Sequence, residues 1–168
     1  MKYFDLFSIP IQLRVNSASL TRKFFELSKQ FHPDYVVNGN EDAKGEALEK
    51  SALLNKAWKT FQNPDATIKY VLQEKGLLEE EEKYQLPPAF LMEVLEINEQ
   101  VMEMDEATDK GKLSSIISQL SSDIYEPVKE IVENYKEGIT TEEELLQVKE
   151  YYYKKKYLDR IKKELSTK

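Results

Sequence analysis

Apolar residues along this 168-residue chain recur every three or four positions, and the strict alternation expected of a half-buried strand is nearly absent. That periodicity restricts the chain to an all-α fold. From Asn16, a candidate N-cap, the residues Leu20, Phe24, Leu27 and Phe31 form one buried stripe of a helix that must end before Pro33. A short helix over 2–7 precedes it and stops near Pro10. A second long helix is predicted over 41–62, with Ala47, Ser51, Leu54, Trp58 and Phe61 on one side. Gly45 weakens its first turns by about 1 kcal/mol relative to Ala. A shorter helix over 65–75 stops at Gly76. Three more helical patterns cover about 88–105, 109–135 and 141–165, and the last opens with the capping box Thr141-x-x-Glu144. Pro127 removes an amide donor inside the middle pattern, so a kink is predicted there. Short connections make these three neighbours antiparallel, a three-helix bundle. Between the halves, "LLEEEEKYQLPP" combines an acid run with a double proline and marks a boundary. The predicted organisation is therefore a helical-hairpin module over 1–75, a linker over 76–87 and a bundle over 88–168.

Composition removes most chemistries. The chain has no cysteine and a single histidine, which excludes disulfides, thiolate nucleophiles, Cys-ligated clusters and multi-histidine metal sites. No glycine pattern forms a phosphate-cradling loop, and no G-x-S-x-G elbow accompanies the histidine. Neither a catalytic residue nor a cofactor or metal is expected. A net charge of -7 argues against affinity for nucleic-acid backbones. With no membrane-spanning apolar run and no targeting pattern at its start, the chain is expected in the cytoplasm and off the membrane.

The lone histidine lies in "SKQFHPDYVV", where His32, Pro33 and Asp34 follow a helix that carries Arg22, Lys23 and Lys29. Proline fixes the direction of the loop, the carboxylate offers a bidentate acceptor to a partner arginine, and the imidazole can hold the turn or the partner. Helix, basic helix, His-Pro-Asp loop, long helix and the ending "NKAWKTFQNP" together resemble the J-domain over residues 1–75. The J-domain tripeptide docks on the ATPase domain of a DnaK-class chaperone and stimulates hydrolysis. The resemblance therefore assigns chaperone contact to His32, Pro33 and Asp34, and with them to Arg22, Lys23 and Lys29 on the preceding helix. At about 100° per residue, Arg22 and Lys29 lie opposite the buried stripe, Lys23 lies nearer its edge and Glu26 interrupts the basic face. Phe25 falls well off the stripe, where J-domains commonly carry a polar or basic group.

On the helix predicted from residue 88, Phe90, Val94, Ile97, Val101 and Met104 suffice as a core stripe. Leu91, Leu95 and Met102 lie about 120° from its centre, followed by Met92, Glu96, Glu99 and Glu103. Periodicity alone leaves two readings: a partner-binding patch rimmed by acids, or Leu91 and Leu95 packed under a neighbouring element. Here "PAFLMEVLEINEQVMEMDEA" resembles the C-terminal domain of the HscB family, J-type co-chaperones of iron-sulfur cluster biogenesis. "KYLDRI", "MKYFDLF" and "SALLNKAW" extend the likeness over nearly the whole chain. That family is L-shaped, binds the cluster scaffold IscU through its bundle and hands it to HscA, the specialised DnaK-class ATPase. The resemblance implies scaffold contact for Leu91, Met92, Leu95, Glu96, Glu99 and Glu103, with Tyr157 in place of another aromatic. A J-domain protein with a different client is the alternative. The run "YYYKKKY" is read as bundle packing with snorkelling lysine stems, and "EEEE" at 79–82 as solvated acid.

Overall fold

The computed structural model describes residues 1–35 and 41–168, so residues 36–40 of the turn-rich stretch after Asp34 lie outside it. The described residues are helical and contain no strand. They divide into two compact units, Met1–Gly76 with Asn134–Ile139, and Leu77–Glu133 with Thr140–Lys168.

The first unit contains α1 (Lys2–Phe7), α2 (Thr21–Phe31), α3 (Glu41–Phe61) and α4 (Pro64–Glu74). Its interior is aromatic. Phe61 meets Phe4 at 5.1 Å and Phe7 at 5.5 Å between ring centres, while Trp58 stacks on Phe24 at 4.7 Å. The predicted stripes point inward: Leu20 and Leu27 are buried on one side, and Ala47, Leu54 and Phe61 on the other. Asn16 does not cap α2, because a 3₁₀ turn over Ser17–Leu20 intervenes and the Asn16 side chain makes no cap bond. The Ser19 hydroxyl donates instead to the Asn16 carbonyl at 2.7 Å. α4 starts with Pro64 in its first turn while Asn63 Oδ1 accepts the Ala66 amide at 3.1 Å. Thr67, buried at the α3–α4 corner, donates its hydroxyl to the Thr60 carbonyl at 2.9 Å and so keeps its polar atom satisfied. The 134–139 segment joins this unit through Lys75, whose ammonium lies 2.6 Å from Glu137 and 5.9 Å from the ring centre of the buried Tyr135, itself hydrogen-bonded to Glu137. That ammonium holds the Glu137 carboxyl below its usual range.

In the second unit, α5 (Pro88–Met102), α6 (Lys110–Tyr125) and α8 (Glu142–Ser166) share one core, with the short α7 (Lys129–Glu133) between the last two. Phe90, Val94, Ile97 and Val101 of α5 close on Leu113, Ile117, Leu120 and Ile124 of α6 and on Leu158, Ile161 and Leu165 of α8. α5 ends three residues before the predicted Asp105, because the Asp105 side chain accepts the Ala107 amide at 2.9 Å and starts a turn. The Lys168 ammonium donates to the Val101 carbonyl at 3.1 Å, satisfying part of the exposed helix end. Pro127 does break the middle pattern: α6 stops at Tyr125, and a 3₁₀ turn over Glu126–Val128 leads into α7. The capping box forms as expected, with the Thr141 hydroxyl accepting the Glu144 amide at 3.1 Å and Glu144 accepting the Thr141 amide at 3.0 Å.

Glu79, Glu80 and Glu81 of the acid run are exposed as expected, and Glu82 alone is half-buried. Glu82 accepts from Lys149 at 2.7 Å, and Tyr84 stacks on Tyr153 at 4.6 Å beneath that pair. Burial pushes the Tyr153 hydroxyl up to about 12, and the Lys149 hydrogen bond holds the Glu82 carboxyl below its usual range. The neighbouring "YYYKKKY" run packs as predicted: Tyr151 and Tyr152 are buried, and Lys154 lies over the Phe90 ring at 5.5 Å.

Two stability measurements follow. A Cβ at Gly45 meets nothing within 4 Å and Gly45 lies inside α3, so Gly45→Ala stabilises the first unit by about 0.5–1 kcal/mol in urea denaturation. Because folding lowers the Glu82 pKa, its pair stabilises the fold above the unfolded-state pKa and that contribution disappears as pH falls through the folded one. Glu82→Gln is therefore expected to cost about 0.5–1 kcal/mol at neutral pH and nothing at strongly acid pH, read from denaturation midpoints across that range.

Candidate functional site

Two surfaces, one on each unit, contain the residues singled out above. On the first, α2 runs toward the His-Pro-Asp tip. Proline disfavours helical backbone in the residue before it, and His32 accordingly leaves the helix in an extended conformation with φ -67 and ψ 132. Pro33 and Asp34 then enter a 3₁₀ turn, Pro33–Tyr35. The Asp34 amide donates to His32 Nδ1 at 3.2 Å, so the neutral imidazole carries its proton on Nε2. Asp34 Oδ2 lies 3.6 Å from the same nitrogen while the carboxylate stays 89% exposed. The tip thus presents a carboxylate acceptor and, at Nε2, a donor. Of the basic residues, Arg22 and Lys29 are exposed and Lys23 is half-buried. Arg22 pairs with Glu26 at 3.3 Å, which offsets part of the positive face.

On the second unit, α5 buries the predicted stripe and exposes another. Met92 is 73% exposed, Leu95 50% and Met102 65%, with Leu91 half-buried. Leu91, Leu95 and Met102 share one helical face, and the adjoining line carries Met92 with the exposed carboxylates Glu96, Glu99 and Glu103. The two readings left open by periodicity divide between residues: Leu91 packs in part, and Leu95 faces water. Tyr157 on α8 is half-buried against the bundle core, with the Arg160 guanidinium over its ring at 6.0 Å. Met102 belongs with the patch although the predicted contact set omits it; its spacing of seven from Leu95 was the available signal. The Asn98 amide lies 3.7 Å from the Met102 sulfur, so the thioether is held at the patch edge.

Among the described residues no cluster of three or more potential ligands stands ready for a metal. No helix among them is long and apolar enough to cross a membrane. Both surfaces instead have the composition of contact sites, a small apolar or polar centre edged by charge.

Residues 86–166 match the family model described as the HSCB C-terminal oligomerisation domain. The chain as a whole is similar to the crystal structure of human co-chaperone protein HscB, with a TM-score of 0.80 and 25% identity over 98% of this chain and 80% of that one. It is similar also to chaperone HscB from Vibrio cholerae, with a TM-score of 0.76 over 99% of this chain and 96% of that one. At 24% identity, this second likeness speaks to the fold.

The division of α5 into a core face and a water face is measurable. Ile97→Ala empties a buried position and is expected to cost about 2–5 kcal/mol. Met92→Ala and Leu95→Ala remove exposed groups and are expected to stay within about 0.5 kcal/mol of the parent in the same denaturation experiment.

Proposed function

From the match of residues 86–166 to the HSCB C-terminal domain and the likeness of the whole chain to human HscB, we propose that this is an HscB-type J-protein, a co-chaperone carrying the iron-sulfur scaffold IscU to the DnaK-class ATPase HscA. In this reading the first unit is the J-domain, and His32, Pro33 and Asp34 trigger ATP hydrolysis by the partner. The observation that carries the reading is the water-facing apolar line of α5 beside Glu96, Glu99 and Glu103, on a helix whose core face is already complete. A helix that needs only one face to fold has no structural use for Met92 and Leu95 in water, whereas a client segment does.

The tip's chemistry fits its assigned role. An exposed carboxylate receives a partner guanidinium through two parallel hydrogen bonds. Pro33 limits the backbone freedom lost when the partner docks, and the bond from the Asp34 amide to His32 holds the imidazole ready. Arg22, Lys23 and Lys29 supply positive charge along the approach. On α5, Leu91, Met92, Leu95 and Met102 act as anchors, Glu96, Glu99 and Glu103 orient the client, and Tyr157 contributes an aromatic from α8.

Neither site makes or breaks bonds. Held on one chain, they raise the effective concentration of client at the ATPase, so delivery gains affinity without new contacts. A J-type co-chaperone serving a different client is the second reading, and scaffold binding separates the two.

Two sets of variants test the proposal with purified scaffold and ATPase. His32→Gln should abolish stimulated ATP turnover and leave scaffold affinity intact. Combined Leu91→Ala, Met92→Ala and Leu95→Ala should weaken scaffold binding by about tenfold or more in calorimetry while direct stimulation of the ATPase persists. Unchanged scaffold affinity in the triple variant would reject the client face, and unchanged turnover with His32→Gln would reject the tip.

A further inference from the structure

The proposed function leaves Phe25 unused. It lies on α2, 60% exposed, although Phe24 beside it is half-buried and stacks on Trp58 of α3. Single apolar side chains on a surface are ordinary. Phe25 differs in what surrounds it and in what it lines up with. It lines a shallow recess of about 530 Å³ together with Ala18, Ser19, Thr21, Arg22, Glu26 and Lys29. Its ring is the only large apolar group among the residues that line that recess.

The spacing gives the alignment. Arg22, Phe25 and Lys29 follow at three and four residues, so they share one face of α2, the helix that ends immediately before the His-Pro-Asp tip. α2 holds three basic side chains against one acidic, in a chain whose net charge is -7. A partner that reads the tip and travels along this face meets a positive surface interrupted by an exposed ring.

We propose that Phe25 is a specificity anchor for the ATPase partner, filling an apolar slot edged by carboxylates on that partner's surface. This rests on the proposed function and deepens it: the tip triggers hydrolysis, and Phe25 helps to select which ATPase is triggered. Exposed charges act at short range and weaken with salt, since the screening length is about 8 Å at physiological ionic strength. An apolar anchor keeps its contribution as salt rises. The contact therefore combines a salt-sensitive component from Arg22 and Lys29 with a salt-resistant one from Phe25.

The experiment measures steady-state ATP turnover of the partner ATPase against concentration of the full-length protein, at low and high sodium chloride. Phe25→Gln is expected to raise the half-maximal concentration about tenfold with maximal stimulation unchanged, and Phe25→Leu to remain within about twofold of the parent. The shift should persist at high salt, whereas that of Arg22→Gln should shrink. His32→Gln, measured in parallel, should remove the maximum itself. Circular dichroism checks that each fold is intact, which the exposure of Phe25 favours. If His32→Gln abolishes stimulation and Phe25→Gln matches the parent, the anchor is overturned and the proposed function stands. If His32→Gln leaves turnover unchanged, the proposed function falls and the anchor with it. Binding to vesicles of anionic phospholipid that Phe25→Gln removes, with no change in chaperone response, would assign the ring to a membrane surface and overturn the proposal.

Discussion

The rotation of α5 about its own axis is the constraint on which the second unit depends. Phe90, Val94, Ile97 and Val101 close the bundle against α6 and α8, and once they are buried every other position on α5 has a fixed direction. Leu95 then faces water together with Met92 and Met102. Exposure of these side chains is thus a consequence of the core, and no separate device is needed to present them. The ends of the helix are fixed as well: Pro88 sits in its first turn, and the Asp105 turn and the Lys168 ammonium close its last. A patch on a rotationally fixed, capped helix loses little freedom on binding, which favours tight contact from a small area.

An equivalent economy operates in the first unit. Pro33 ends α2, turns the chain and makes the tip stiff, all through one restriction on backbone angles. The stack of Trp58 on Phe24 holds α2 against α3, and Phe61 against Phe4 and Phe7 holds α1 on the same long helix, so the tip rests on an aromatic base. Thr67 shows the same core admitting a polar group only with its hydrogen bond made.

Much of this was legible because it is local. The stripes of α2, α3 and α5, the capping box at Thr141 and the interruption at Pro127 all depend on neighbours within a few residues, and periodicity reads such relations directly. What escaped depends on partners distant in sequence or on competing turn chemistry. Nothing about Glu82 foretold Lys149, and Glu82 reads as solvated acid like its three exposed neighbours until a half-buried tyrosine pair brings an ammonium beside it. Tyr135 falls at the very end of the pattern predicted over 109–135 and Glu137 lies outside it, so periodicity gave no sign of their association with Lys75. The Asp105 turn displaced a helix end because a short carboxylate competes with the helix for the same amides. For the candidate sites, direction was readable and depth was not: the wheel put Leu91 and Leu95 on one face, and only the neighbouring helices decide that one is half-buried and the other faces water.

Charge distinguishes the two surfaces and, on the proposed reading, bears on how a single acidic chain would serve two partners. The α2 face has a basic excess around Phe25 and an acidic tip, whereas the exposed line of α5 has only carboxylates around Met92 and Leu95. Each surface thus has an apolar centre, and the rims are of opposite sign. Rim charge contributes modestly to affinity but strongly to encounter rate and to rejection of wrong partners. A partner whose acidic surface suits α2 is repelled by the α5 rim, and a basic client that suits α5 is repelled by Arg22, Lys23 and Lys29. Screening keeps each field local. The apolar centres, being chemically similar, cannot make this distinction by themselves, so on the proposed reading the sign of the rim assigns each partner to its site while the apolar anchor determines how long it stays.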